Sequence, residues 1–231
     1  MLRMENVSKS YTHRGRMVKA LDSATLHIPA GDFVSLVGPS GSGKSTLLLM
    51  LGGMLSPSEG RVLLESSSVY DLSPSDRAKM RREKVGFVFQ TFNLVPYLSA
   101  LENVQVPLFL AKMEEKAQKD RATALLERVG LADRLDHKPG ELSVGQQQRV
   151  ALARMLANEP AIILADEPTG NLDPETSQQI ISFLEEFHAE GKTIVMVTHD
   201  PHAAKRAKRT LRLQSGTITC QQADQGRQKL L

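Results

Sequence analysis

One cysteine, Cys220, stands in 231 residues, so no internal disulfide and no cysteine-based metal cage can form, and a reducing compartment fits. Long apolar runs are missing as well. The longest, 47–51 with Met54 and Leu55 just beyond, is broken by Gly52 and Gly53 and falls far short of the roughly 20 residues that a membrane helix needs. Met1, Leu2, Arg3, Met4 and Glu5 reach polar and acidic positions before any apolar block, so no secretory signal is expected. Charge of one sign is scarce too: the formal net charge of +3 describes an ordinary solvated exterior. Tryptophan is absent and aromatics amount to 4%, so the 41% apolar content is carried by aliphatic side chains. With 24% charged residues, this is the composition of a globular chain long enough for one domain, or a domain and a lobe, around a real core.

Along the chain, Phe33–Val37 is a short apolar and β-branched run that stops at Gly38. The glycine-rich turn after it leads into 44–50, which reads as a helix. Residues 161–165 form a nearly unbroken apolar run followed by two carboxylates, the pattern of a strand buried on both faces of a parallel sheet. Thr193–Val197 supplies a third strand. Between these two, 175–188 sets Ile180, Ile181, Leu184 and Phe187 at helical spacing. Strand, helix and strand predict a right-handed parallel crossover.

From about Ser99 to Leu156 the pattern changes. Segments 117–129 and 146–156 are strongly helix-forming with no strand between them, and Gly130, Pro139 and Gly140 punctuate the stretch. This predicts a helical lobe inserted into an α/β core. Val7, Leu21, Leu26 and Ile28, with turns at Gly15 and Gly31, predict a small antiparallel sheet near the N-terminus. The polar tail after Gly216 is expected to be loosely ordered.

Gly38, Pro39, Ser40, Gly41, Ser42, Gly43, Lys44 and Ser45, with Thr46 next, match G-x-x-x-x-G-K-[ST] between a strand and a helix. The glycines leave backbone N–H groups free to converge on phosphates, and the helix start adds its positive dipole end. Lys44 brings a mobile positive charge to the outer phosphates, and the Ser45 hydroxyl can ligate magnesium. Kinases, small GTPases and many ATPases share this loop. The run at 161–165 delivers Asp166 and Glu167 to the same sheet edge. Asp166 is suited to hold magnesium through its water shell, and Glu167 to polarise the water attacking a γ-phosphate.

Leu142, Ser143, Val144, Gly145 and Gln146, followed by Gln147, Gln148 and Arg149, resemble the signature of the ABC ATPases, which kinases and GTPases lack. The chain is similar to that superfamily from Tyr11 to about Gly216. The resemblance implies an α/β fold: a RecA-like P-loop NTPase core with a mainly parallel sheet, a small N-terminal antiparallel β part and an inserted helical signature lobe. Its expected organisation is a single domain over 1–220, with the core at about 1–92 and 157–220, the lobe at about 93–156, and a polar tail at 221–231. It further implies ATP and Mg2+ as cofactors and a homodimer in which each signature closes on nucleotide held by the other copy's glycine loop. Ser143, Gly145 and Gln146 would then meet the partner's nucleotide. Gln90 resembles the Q-loop glutamine at the magnesium site, Asn171 to Asp173 the D-loop along the dimer seam, His199 the switch histidine at the γ-phosphate, and Tyr11 the aromatic that stacks on adenine. Val144 departs from the pattern, which has glycine there.

Phe89 to Pro96, Ser99 to Val104 and Leu164 to Asn171 are similar to the lipoprotein-releasing and macrolide-exporting branch. That likeness implies a peripheral place on the cytoplasmic face of the inner membrane. It also implies coupling to integral membrane permease subunits that extract or export lipoprotein, peptide or drug. Phe92, Leu94, Pro96 and Tyr97 are expected to lie exposed as a socket for such a partner. Two other classes stay open: a soluble ABC ATPase working on ribosomes or DNA, and a P-loop phosphotransferase. The Lys205, Arg206, Lys208 and Arg209 cluster reads as a solvated helix face, and no nucleic-acid partner is expected.

Overall fold

The computed structural model describes residues 1–13 and 16–221. Two long strands, β1 (Leu2–His13) and β2 (Arg16–Ile28), pair antiparallel, with Leu2 opposite Ile28 and Tyr11 opposite Val18. Leu2, Met4, Leu26 and Ile28 are buried while Arg3, Thr25 and His27 are exposed, the alternation that one covered face produces. Strand β3 (Phe33–Val37), helix α1 (Lys44–Leu51), and strands β4 (Glu59–Leu64) and β5 (Ser67–Ser68) follow. Among the described residues, β4 joins the free edge of β1 to make a sheet ordered β2-β1-β4-β5. Helix α2 (Pro74–Lys84) starts on a Ser73 cap with Pro74 in its first turn, and strand β6 (Val85–Val88) continues from it.

Helices α3 (Ala100–Leu110), α4 (Glu115–Arg128) and α5 (Val144–Leu156) come next, without a strand among them. Strand β7 (Ile162–Asp166), helix α6 (Pro174–Ala189), strand β8 (Thr193–Val197), the short helix α7 (Pro201–Ala204) and strands β9 (Arg209–Gln214) and β10 (Thr217–Gln221) complete the fold. The second sheet is ordered β10-β9-β3-β8-β7-β6, parallel throughout except for β10. One side of it packs with α1 and the N-terminal sheet through Leu36, Leu47, Leu48 and Val195. The other side joins the helices of 100–156 and α6 through Val104, Val150, Ile163, Leu184 and Phe187. Each such side chain contributes about 2 kcal/mol by leaving water.

The strand, helix, strand reading of 161–197 and the absence of strands in 99–156 hold, with boundaries moved by one to two residues at most ends. Strand β6 ends at Val88, so Gln90 lies two residues beyond it. The expectation of a loose tail after Gly216 is corrected, because Thr217–Gln221 pairs antiparallel with β9. Ser215 and Gly216 have φ of +49° and +79°, the two-residue turn that matches the twist of a hairpin, and Ile218 packs onto the core. Residues 222–231 and the turn expected at Gly15 lie outside the described residues. Among the described residues no helix is long and apolar enough to cross a membrane.

Candidate functional site

Parallel pairing of β3, β8 and β7 brings their carboxyl ends to one edge, where crossovers leave room for a ligand. At β3 the chain turns through Gly38, Gly41 and Gly43 into α1, and Gly41 and Gly43 have φ of +75° and +100°, open to glycine. Gly43 is also pressed against β2: a Cβ there would sit 2.3 Å from the Ala20 carbonyl oxygen. Gly43 is the N-cap residue, and no side chain caps the start of α1, so its first N–H groups turn to the loop interior. Lys44 is only 8% exposed and donates from Nζ to the carbonyls of Gly38 and Pro39, at 2.9 and 3.0 Å. Ser40, Gly41 and Ser45 are exposed and Thr46 half-buried, while Ser42 is buried with Oγ unpartnered among the described residues.

At the end of β7, Asp166 is half-buried and its Oδ1 has no hydrogen-bond partner among the described residues. Burial lifts its carboxyl above the ordinary aspartate range; the Ser45 hydroxyl pulls it down, the Glu167 charge adds to the rise, and Lys44 opposes it. Glu167 has φ of +46°, a strained choice for a residue with a side chain, held by its N–H on Val197 O and its carbonyl on Gly170 N–H, both 3.0 Å. This turn swings its carboxylate toward β8. There His199 Nδ1 meets Glu167 Oε2 at 3.1 Å. Gln90 joins them: a Cβ on Gly170 would lie 2.9 Å from Gln90 Nε2 and 3.3 Å from Glu167 Oε2. Asn171 Nδ2 donates to the Gln90 carbonyl at 3.3 Å. The structure therefore brings together Lys44, Ser45, Asp166, Glu167, His199 and Gln90, which sequence reasoning had placed on four separate segments.

Ser143, Gly145 and Gln146 stand apart from this constellation at the exposed start of α5. Ser143 Oγ accepts from Gln146 N–H at 3.2 Å, and Gln146 Oε1 accepts from Ser143 N–H at 2.9 Å, a reciprocal capping box. The cap consumes the Gln146 amide and leaves the first-turn N–H groups of Val144 and Gly145 without intrahelical partners. Val144 is 46% exposed. Gly145 faces inward, where a Cβ would meet Thr176 Cγ2 at 2.5 Å. Asp173 caps α6 by accepting from Thr176 N–H at 3.0 Å, and hydrogen bonding from the Thr176 side chain, followed by this backbone bond, holds its carboxyl below the ordinary range. Tyr11 is 41% exposed on β1 with Lys9 Nζ over its ring.

Sequence reasoning missed the residues that hold this frame. Gln148, fully buried, donates to Pro168 O at 2.6 Å and ties α5 to the turn after Glu167. Arg154 donates to the carbonyls of Asn93 and Phe92, at 2.6 Å each, where both residues take positive φ. Asn103, fully buried, binds both backbone groups of Val95. A polar residue inside an apolar helical face is the signal for each. The socket expectation needs correction: Phe92 and Leu94 are half-buried, with Leu94 packed on the core, while Pro96 and Tyr97 are exposed. In the basic cluster, Arg206 pairs with Glu185 at 2.6 Å and Arg209 with Asp32 at 2.8 Å, so two of the four cations are ion-paired within the chain.

The comparisons agree with this geometry. Residues 21–170 match the sequence profile of the ABC transporter family. An ABC transporter ATP-binding protein of Bacillus subtilis (strain 168), YvrO, is 47% identical over 94% of this chain and 95% of its own length. A macrolide export ATP-binding/permease protein, MacB, of Hyphomonas neptunium is 45% identical over 94% of this chain, which spans only 34% of that protein. Among solved structures, the dimeric post-hydrolysis state of the ATP-binding cassette MJ0796 of Methanocaldococcus jannaschii, bound to ADP and Pi, superimposes with a TM-score of 0.91. It is 42% identical over 98% of this chain and 100% of its own. A glycine loop on a parallel sheet edge, two carboxylates beside it and a capped signature helix, matched over nearly the whole chain, make this protein a member of the ABC transporter family, one of its ATP-hydrolysing, ATP-binding subunits.

Proposed function

We propose that two copies close head to tail around two ATP molecules and that this closure drives a separate integral membrane permease. The observation that carries this reading is the start of α5. It presents the first-turn N–H groups of Val144 and Gly145, which have no intrahelical partner, beside the exposed Val144 side chain, the makings of an anion site. A second copy's γ-phosphate fits that need. Tyr11 stacks on adenine, residues 38–46 hold the phosphates, and Ser143, Gly145, Gln146 and Asp173 complete the site from across the seam. Asp166 Oδ1, unpaired among the described residues, and the Ser45 hydroxyl beside it fit magnesium, with Gln90 a third residue to hold it, and the ion would supply neutralisation of the phosphate charge when bound. Glu167 polarises the attacking water, and His199 holds that carboxylate and reaches toward the γ-phosphate.

The permease half of the reading has its own surface. A groove of about 620 Å³ runs between α2, β6, α3 and the end of α5, floored by Phe87, Phe89 and Val106 with Leu110 at its rim. Arg154 lines it and grips the segment after Gln90, so pressure in the groove reaches the catalytic glutamine. Under this reading the domain comprises 1–220 with the lobe at about 93–156, the chain sits on the cytoplasmic face of the membrane, and the cargo is lipoprotein, peptide or drug. The pairing is tested by specific ATPase activity against protein concentration. Because each site needs two copies, activity per chain is expected to rise with concentration and then level off. Constant activity per chain down to nanomolar protein would contradict it.

A further inference from the structure

Two strands press backbone carbonyls against the phosphate loop. A Cβ on Gly38 would lie 2.2 Å from the Leu213 carbonyl oxygen of β9, and one on Gly43 would lie 2.3 Å from the Ala20 carbonyl oxygen of β2. Ala20 is the extra residue of a bulge, since Lys19 pairs with Ser10 and Leu21 with Lys9, and a bulge re-aims the backbone where it occurs. The two strands are also joined to each other. Asp22, which has no partner on β1 in the strand register, donates its N–H to the Gly216 carbonyl at 3.0 Å. Gly216, in the Ser215-Gly216 turn, has φ of +79° and backs onto β2, where an added Cβ would lie 3.1 Å from Asp22 N and 3.3 Å from Leu21 Cα.

This link ties together parts that are otherwise held separately. Lys44 holds the loop through the Gly38 and Pro39 carbonyls, and β9 is fixed to β3 by parallel pairing of Arg212 with Val37. Neither constraint passes through β1 and β2, which carry Tyr11 and its cross-strand neighbour Val18, two residues or roughly 7 Å from the Ala20 bulge. The N-terminal sheet packs on the parallel sheet through apolar side chains, which attract without fixing a direction. Hydrogen bonds fix it: Arg209 donates to the His27 carbonyl at one end of β2, and Asp22 to Gly216 nearer Tyr11. We infer that the β9–β10 hairpin is a bracket that sets the span between base and phosphate sites, with Gly216 and Asp22 as its positioning residues, so that the site favours a nucleotide over a bare polyphosphate. The inference rests on Tyr11 stacking on adenine, as proposed above. A ligand that bridges both sites gains from their fixed separation, because its second contact is already aligned when the first forms. A ligand that touches the loop alone gains nothing from it.

The test titrates the full chain, with magnesium present, with ADP and with inorganic pyrophosphate by calorimetry. Gly216→Ala, which pushes the turn off β2, is expected to weaken ADP binding about tenfold while pyrophosphate stays within twofold of wild type. Asp22→Pro, which removes the donor without adding bulk to the turn and sits beside a bulge, where strands accept proline, should show the same split. Gly191→Ala is the control: Gly191 has φ of +89° with nothing within 4 Å of its Cβ, so the variant carries the backbone strain without the contact and should bind both ligands like wild type. Unchanged ADP affinity in either hairpin variant, or ADP and pyrophosphate weakened in equal proportion in both, would overturn the inference while leaving the adenine reading in place. Tyr11→Ala separates the two. It should weaken ADP at least tenfold, and ADP binding at wild-type strength in that variant would overturn the adenine reading and the inference with it.

Discussion

Glu167→Gln is expected to lower ATP turnover at least about a hundredfold while leaving ATP binding intact, the loss usual when a general base is removed. The side chain keeps its size and its turn at φ +46°, so the fold at the end of β7 should be undisturbed. What disappears is the negative charge that meets His199 Nδ1 at 3.1 Å and that we propose polarises water. Under the proposed cycle hydrolysis lets the copies part, so the variant should accumulate as an ATP-loaded dimer. Rapid-quench turnover and light scattering on the same sample read both effects. Turnover within threefold of wild type would remove Glu167 from its role, and loss of turnover together with loss of ATP binding would point instead to a damaged fold.

Gly43→Ala should be a severely damaging small change in the phosphate loop. The added carbon would lie 2.3 Å from the Ala20 carbonyl of β2, and φ of +100° is strained for any side chain. Ala20 sits at the irregularity of β2 between its Lys19 and Leu21 pairings, so relieving the clash means moving backbone there or in the glycine turn. A loss of about 3 kcal/mol or more in unfolding free energy is expected, with ATP affinity down about a hundredfold as the N–H groups are turned out of line. Gly41→Ala is the internal comparison: nothing lies within 4 Å of its Cβ, so only the backbone strain of φ +75°, about 1 kcal/mol, should appear. Urea unfolding and titration with a fluorescent ATP analogue measure the two. Equal effects would show that the contact with β2 does not govern the loop.

The chemistry was far more legible in the sequence than the frame that aims it. Asp166 and Glu167 sit at the end of a short apolar strand and Lys44 opens a helix after the glycine turn that follows another, and runs such as Phe33–Val37 and Thr193–Val197 announce themselves because burial on both faces demands unbroken apolar residues. The convergence of Gln90 on Glu167 and Gly170 was not readable from spacing, since it depends on β6 lying next to β7, and no local pattern states that order. Helix α2 escaped notice because it buries no residue and so leaves no apolar period to detect. Strand β10 escaped because its sequence is polar, although Ser215-Gly216 between two alternating segments was a hairpin signal. Arg154 is a tertiary fastener whose carbonyl partners lie far along the chain and Asn103 a local one that ties the preceding loop to α3; both bind backbone groups, which carry no sequence identity.

Head-to-tail closure is tested most directly by a disulfide between copies. In a Cys220→Ser, Glu167→Gln background, one copy carries Ser40→Cys on the glycine loop and the other Val144→Cys at the signature helix. Both positions are exposed in a single chain. Mixed with ATP under mild oxidation, the pair should form a covalent dimer that ADP or omission of nucleotide does not give. A yield that ignores nucleotide, or no bond at all while both chains hold ATP, would contradict the composite site.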